Sequence, residues 1–161
     1  MPVKIPHYPK PLGFKIDFAL ERIFNALQYL GNPHHNLPPV IHIAGTNGKG
    51  STLSFLRSIF EEAGKKVHCY ISPHLVWFNE RITLAGVPIE DAEIYNIYEE
   101  LRQTIEGKED AKLTYFEAVT TGALLAFSRH KADLLLLETG MGGRLDATNV
   151  IASPLASVIT N

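Results

Sequence analysis

Between Val40 and Thr52 the chain reads V-I-H-I-A-G-T-N-G-K-G-S-T. Gly45, Gly48 and Gly50 permit backbone shapes that a Cβ would block, and the N–H groups of such a loop can converge on a phosphate. A helical pattern starting at Ser51 or Thr52 adds the partial positive charge of its N-terminus. Lys49 supplies a full charge, and Ser51 or Thr52 a hydroxyl for Mg²⁺. The stretch departs from the strict phosphate-loop pattern at two positions: Gly50 follows Lys49 directly, and Ile43 stands where the first glycine would be. A tight glycine turn at a strand–helix junction is the alternative reading.

A second chemical group is Glu138, which follows four leucines, Leu134 to Leu137. A carboxylate at the end of so apolar a run is partly desolvated, which is costly unless a cation compensates. Mg²⁺ commonly binds one or two carboxylates plus phosphate. Pairing with a basic residue such as Arg144 is the alternative. Ser72 reads equally as a Mg²⁺ ligand and as a cap before Pro73, and His74 as a loop histidine or a ligand. Trp77, Phe78, Tyr115 and Phe116 are core aromatics or stacking platforms for a flat heterocycle. Arg81 and Arg144 can bind carboxylate or phosphate bidentately, or make surface salt bridges. His34 and His35 are adjacent, and adjacent residues rarely face one ion, so a solvated loop is the reading there.

The elements that must position these groups follow from periodicity. Val40–Ala44 and Val67–Ile71 read as short strands. Leu134–Leu137 is a continuous apolar strand of the kind buried on both faces, and Leu155–Thr160 is a further strand of that kind. Asp17 caps a helix with Leu20, Ile23, Phe24, Leu27 and Leu30 on one stripe. After the glycine loop, Leu53, Leu56, Ile59, Phe60 and Ala63 form a core-facing stripe that Gly64 stops. Arg81–Ile89 is a small hairpin turning at Ala85-Gly86. Asp91 caps a helix with Ile94, Ile97, Tyr98, Leu101 and Ile105 on its apolar face. Thr114 and Glu117 form a capping box for a helix to about His130, whose many small residues suggest close packing. Residues 1–16, with four prolines, form an extended arm. Strands alternating with helices imply a parallel sheet with right-handed crossovers, and ligands of such sheets bind beyond the carboxyl ends of the strands. Lys49 and its loop, Ser72 with His74, Glu138 with a second glycine loop, and Thr160 with Asn161 all fall on that rim.

With 161 residues, 45% hydrophobic and 20% charged, the chain fits one globular domain. A net charge of −2 gives no broad nucleic-acid footprint. Cys69 is the only cysteine, so no intrachain disulfide is possible, and a reducing, cytoplasmic compartment is expected. No apolar run is long enough to span a membrane, and the N-terminus lacks the apolar core of a signal peptide.

Four ordered motifs carry a resemblance: A-G-T-N-G-K-G-S-T at 44–52, S-P-H-L at 72–75 with F-N-E-R-I at 78–82, L-T-Y-F-E at 113–117, and E-T-G-M-G-G-R-L-D-A-T-N at 138–149. From about residue 16 onward the chain closely resembles the folylpolyglutamate synthase and dihydrofolate synthase family, relatives of the Mur ligases. That family's loop carries the extra glycine. The resemblance implies an α/β phosphate-loop domain, a parallel sheet flanked by helices of the Mur ligase type, incomplete here. It implies ATP- and Mg²⁺-dependent ligation of L-glutamate to a folate or dihydropteroate through an acyl phosphate. Carried over by position, Gly45, Thr46, Asn47, Gly48, Lys49, Gly50, Ser51 and Thr52 would bind ATP, with Lys49 catalytic. Ser51, Ser72 and Glu138 would bind metal. Phe18, Ala19, Leu20, Arg81, Thr114, Phe116, Arg144, Asp146 and Ala147 would line the pterin or folate pocket, with the 73–90 loop closing over it. Enzymes of this family are much longer and carry a further metal-site histidine, a modified lysine and a second domain on the glutamate side. The chain is therefore expected to be the N-terminal part of such an enzyme and to have little ligase activity alone. Neither nucleic acid nor membrane is an expected partner. A small phosphate-loop kinase or NTPase, and a non-catalytic nucleotide-binding module, are the alternatives.

Overall fold

The structure is a computed structural model and describes residues 20–161. The expected arm at 1–16, the Asp17 cap, Phe18 and Ala19 lie outside the described residues. The chain forms one six-stranded sheet. In chain order the strands are β1 (Val40–Ala44), β2 (Val67–Tyr70), β3 (Ile82–Leu84), β4 (Val87–Pro88), β5 (Leu134–Glu138) and β6 (Ala156–Ile159), and across the sheet the order is β4-β3-β2-β5-β1-β6. The β2, β5, β1 and β6 strands run parallel, and the β3–β4 hairpin joins antiparallel at the β2 side. The expected hairpin is thus part of the sheet itself, turning through Ala85 and Gly86 at positive φ.

Central strands are the most apolar because both their faces are covered. All five residues of β5 are buried, and its leucines alternate between two cores. Leu135 and Leu137 join a large cluster, while Leu134 and Leu136 join a smaller one. Burial of each such leucine stabilises the fold by about 1.5–3 kcal/mol. The large core lies under α1 (Glu21–Tyr29), α3 (Asp91–Ile105) and α4 (Tyr115–Arg129). The close packing expected of α4 is present. Residues 117 to 127 are buried throughout, and Gly122 lies where any Cβ would collide with the Tyr98 ring. The capping box is formed as well: Thr114 N–H donates to Glu117 Oε2 at 2.6 Å and Glu117 N–H to Thr114 Oγ1 at 3.4 Å. Glu117 also pairs with Arg22 at 2.9 Å, tying α4 to α1.

The opposite face is covered by α2 (Lys49–Glu62) alone among the described residues. Two expectations fail here for one reason. Ile59 was expected to face the core and is exposed, and β6 was expected to be buried on both faces, yet Ile159 is 83% exposed. The helix can shield only the strands beneath it, and β6 is the last strand on its side of the sheet. Cys69, in the smaller core, has its thiol pushed up to about 12 by burial, so it is unreactive. Among the described residues no helix is long and apolar enough to cross a membrane.

Candidate active site

Pairing register brings the chemistry to one rim. Ile43 lies opposite Glu138 and Tyr70 opposite Leu137, so the ends of β1, β5 and β2 are level. The glycine loop leaves β1 there. Gly45 has a φ of +140° and lies so close to Thr160 that a Cβ would collide with its backbone. Gly48, at φ +79°, is the N-cap of α2. Helix α2 starts at Lys49, two residues earlier than the hydroxyls suggested, so the N–H groups of its first turn belong to the loop motif itself. The loop is braced from β6. Thr160 Oγ1 donates to Asn47 O at 2.6 Å and to Ala44 O at 3.2 Å, and Asn47 N–H donates to Asn161 O at 2.7 Å. Lys49 Nζ donates to Gly45 O at 2.8 Å.

Facing the loop is an open cleft of about 460 Å³, lined by Gly50, Ser51, Ser54, Phe55, Ile71, Ser72, Pro73 and Glu138. Glu138 is 5% exposed. Among the described residues its carboxylate takes one hydrogen bond, a long one from Ser72 N–H at 3.3 Å. Burial raises its pKa, against the smaller effects of the Ser72 N–H and the Lys49 charge. The expected alternative, pairing with Arg144, is absent: Arg144 is exposed, and its carbonyl accepts from Asn149. Among the described residues no cluster of three His, Cys, Asp or Glu side chains forms a metal cage. One carboxylate and two hydroxyls beside a phosphate loop make an all-oxygen donor set. Such a set fits a cation that takes its remaining ligands from phosphate and water, as Mg²⁺ does.

The second group gathers on the α4 side of the sheet. Phe116 abuts Gly140 so closely that no Cβ fits between them, and its ring centroid is 6.5 Å from that of Tyr70. Asp146 is buried, and its carboxylate accepts from Met141 N–H at 2.8 Å, Thr148 N–H at 3.0 Å and Thr148 Oγ1 at 2.6 Å. It shapes the 139–149 loop from inside. Ala147 packs into the large core beside it. His42 Nε2 stands 2.7 Å from Thr148 Oγ1. That hydroxyl donates to Asp146, so the imidazole is the donor in this pair. Burial lowers the His42 pKa. His42 and Thr148 were not singled out from the sequence. The visible signal was Asp146-Ala147-Thr148, an acid bonding a backbone group two residues on. Leu20 packs at the start of α1, and Thr114 is exposed with its hydroxyl used by the cap.

The 73–90 loop leaves β2 through a cis Ser72–Pro73 peptide. The Glu80 carboxylate holds its first turn, accepting from the N–H groups of Leu75, Val76 and Trp77 at 2.7, 2.9 and 2.6 Å. Those hydrogen bonds lower the Glu80 pKa. Trp77, one of the candidate core aromatics, is instead 56% exposed beside Leu75 and Val76. Tyr115 is exposed too, whereas Phe78 packs against the core. His74 Nδ1 accepts from Arg81 Nε at 2.8 Å.

No family model matches the chain. It is 40% identical over 154 residues to the dihydrofolate synthase/folylpolyglutamate synthase of Bacillus subtilis, a match covering 93% of this chain and 35% of that protein. Over the residues it spans, the chain belongs to the folylpolyglutamate synthase/dihydrofolate synthase family. Mycobacterium tuberculosis folylpolyglutamate synthase complexed with ADP superimposes with a TM-score of 0.81 at 35% identity, over 90% of this chain and 33% of that one. A bifunctional folylpolyglutamate synthase/dihydrofolate synthase with Mn, AMPPNP and L-glutamate bound gives a TM-score of 0.80 at 37% identity, over 89% of this chain and 34% of that one. The chain thus spans about a third of the length of these relatives.

Proposed function

We propose that this chain is the nucleotide- and pteridine-binding part of an ATP-dependent ligase that joins L-glutamate to a folate or dihydropteroate carboxylate. The single observation that carries this is a buried, barely hydrogen-bonded Glu138 carboxylate in the same cleft as the phosphate loop and Ser72. A parallel sheet can have a glycine turn without a ligand, but a desolvated carboxylate beside that turn calls for a cation.

In this reading the loop from Gly45 to Thr52 cradles the ATP phosphates with its N–H groups, and Lys49 turns from Gly45 O to the transferring phosphoryl group. Ser51, Ser72 and Glu138 hold Mg²⁺, which when bound offsets the repulsion between phosphate and carboxylate. The substrate carboxylate attacks the γ-phosphorus, the β–γ bridge breaks and ADP leaves. The glutamate amine then attacks the acyl carbon, phosphate leaves and the ammonium proton is released. Phe116, Asp146-Ala147, Thr114 and Leu20 form the pteridine pocket, and the loop around Trp77 closes it. Arg144, exposed at the loop tip, contacts the substrate's outer end. The glutamate side is supplied by a further domain, so residues 1–161 alone have little ligase activity. Calorimetric titration with ATP and Mg²⁺, beside Lys49→Ala, tests the reading. Saturable, Mg²⁺-dependent binding lost in the variant is expected. Binding that is indifferent to Mg²⁺ and Lys49 refutes it.

A further inference from the structure

Arg81 is 7% exposed and permanently charged. Among the described residues no carboxylate lies within ion-pair distance of it. The neighbouring acids are committed elsewhere: Glu80 accepts from three backbone N–H groups, and Asp146 from Met141 and Thr148. The guanidinium's partners among the described residues are a histidine and a phenylalanine. Its Nε donates to His74 Nδ1 at 2.8 Å, and its central carbon stands 5.9 Å from the Phe78 ring centroid. The ring helps, but a buried cation with no counter-charge among the described residues remains costly, and a guanidinium does not escape by losing its proton.

The position is as informative as the burial. Ile71 N–H donates to Arg81 O at 3.1 Å, which fixes Arg81 at the carboxyl end of β2, beside Ser72. The Phe78 ring beside it packs against the large core, as do Phe116 and Ala147, so Arg81 faces the same side of the sheet as Phe116 and the 139–149 loop. It therefore stands between the pteridine side and the phosphate side of the rim. His74 occupies the Nε position, and the Nη1–Nη2 end remains as a fork matched to a carboxylate.

Resting on the ligase reading, we infer that Arg81 is the receptor for the carboxylate of the pteridine substrate, the group that is to be activated, and that His74 orients the guanidinium toward it. The carboxylate supplies a counter-charge, and the fork presents it to the neighbouring phosphate corner.

The test uses the 161-residue chain with pteroate and its methyl ester, which differ only in that charge, titrated calorimetrically into wild type and Arg81→Gln. Wild type is expected to prefer the acid by at least about tenfold, equivalent to about 1.4 kcal/mol, and R81Q to lose that preference. An equal loss of both compounds in R81Q means that the guanidinium reads the pterin edge, and overturns the assignment. So does a preference that survives in R81Q, or a wild type that binds both compounds equally, with the ligase reading left standing. Absence of binding by either compound refutes the ligase reading and this inference with it. A second variant probes the cation directly. Arg81→Met, similar in reach but uncharged, is expected to keep or raise the melting temperature of the free chain, by up to about 2–4 °C. A fall of that size assigns Arg81 to the scaffold and overturns the inference.

Discussion

Replacing Glu138 with glutamine separates stability from function in opposite directions. Glu138 is 5% exposed, and among the described residues its carboxylate keeps one hydrogen bond, from Ser72 N–H at 3.3 Å. At that length the bond contributes no more than about 1 kcal/mol. Removing an ion of this kind from water costs several kcal/mol after relaxation, and Lys49, folded onto Gly45 O, offsets only part of it. Glutamine keeps the shape and the acceptor and removes the charge. The free chain should therefore gain about 1 kcal/mol, a rise of about 2–4 °C in melting temperature for a domain of this size. The sign with pH follows from the raised pKa. The folded state favours the protonated acid, so the stability is fully present below the unfolded value of about 4.3 and is lost as pH rises through the folded one. The advantage of Glu138→Gln should accordingly be seen at neutral pH and vanish at pH ~4. Thermal melts at the two pH values read the first effect, and calorimetry with ATP and Mg²⁺ reads the second, where binding should fall at least tenfold. A variant that is less stable than wild type at neutral pH would show the carboxylate to be a satisfied structural group, and the argument for a cation at the loop would collapse.

Gly45→Ala meets both a φ of +140° and the Thr160 backbone, so it should destabilise the chain by about 2–4 kcal/mol in urea unfolding. A loss under 1 kcal/mol would mean the loop is not braced by β6. Gly50→Ala meets nothing within 4 Å and lies in the first turn of α2; it should raise stability by about 0.5–1 kcal/mol while weakening nucleotide binding at the cleft it lines. Both readings come from the same purified variant. His68 is buried with Nε2–H donating to His130 O at 3.1 Å and Nδ1 accepting from Ala85 N–H at 3.0 Å, and burial lowers its pKa. Its contribution is present above the unfolded value of about 6.5 and is lost as pH falls toward the folded one. Unfolding free energies at pH 7.5 and 5.5 should show this loss in wild type and not in His68→Gln. Glu117→Gln weakens the Thr114 cap and the Arg22 pair together and should cost about 2–3 kcal/mol, which urea unfolding measures directly.

What the sequence reveals is whatever neighbours in the chain decide. Val40–Ala44, the Ala85-Gly86 turn and the Thr114–Glu117 capping box are settled by alternation, turn chemistry and a three-residue reach, and each is found where it was expected. The meeting of Ser51, Ser72 and Glu138 at one cleft was legible too, because parallel strands deliver their carboxyl ends to one edge. Exposure of Ile59 and Ile159 was not. Apolar spacing tells which residues share a face, but the cover on that face depends on which strand is outermost. The solitude of Arg81 and the His42–Thr148 contact were hidden for a related reason. They are properties of a pair 106 residues apart, or of partners that fail to appear among the described residues. Burial of a polar group is written in the packing of distant elements, not in its own neighbourhood.

Thr160 has a consequence for how the protein is made. The loop at residues 45–48 takes one bond from the Thr160 hydroxyl and gives one to Asn161 O, more than a hundred residues further along, and the same hydroxyl bonds Ala44 O where β1 runs into the loop. On the ribosome, strand β1 and helix α2 emerge early, yet the loop between them stays unbraced until β6 has left the exit tunnel and docked beside β1. A nascent chain halted anywhere between α2 and β6 would hold every residue of the glycine motif and still lack the braced loop. The motif is local in the gene and late in assembly, so nucleotide would engage the chain only after the sheet is otherwise complete.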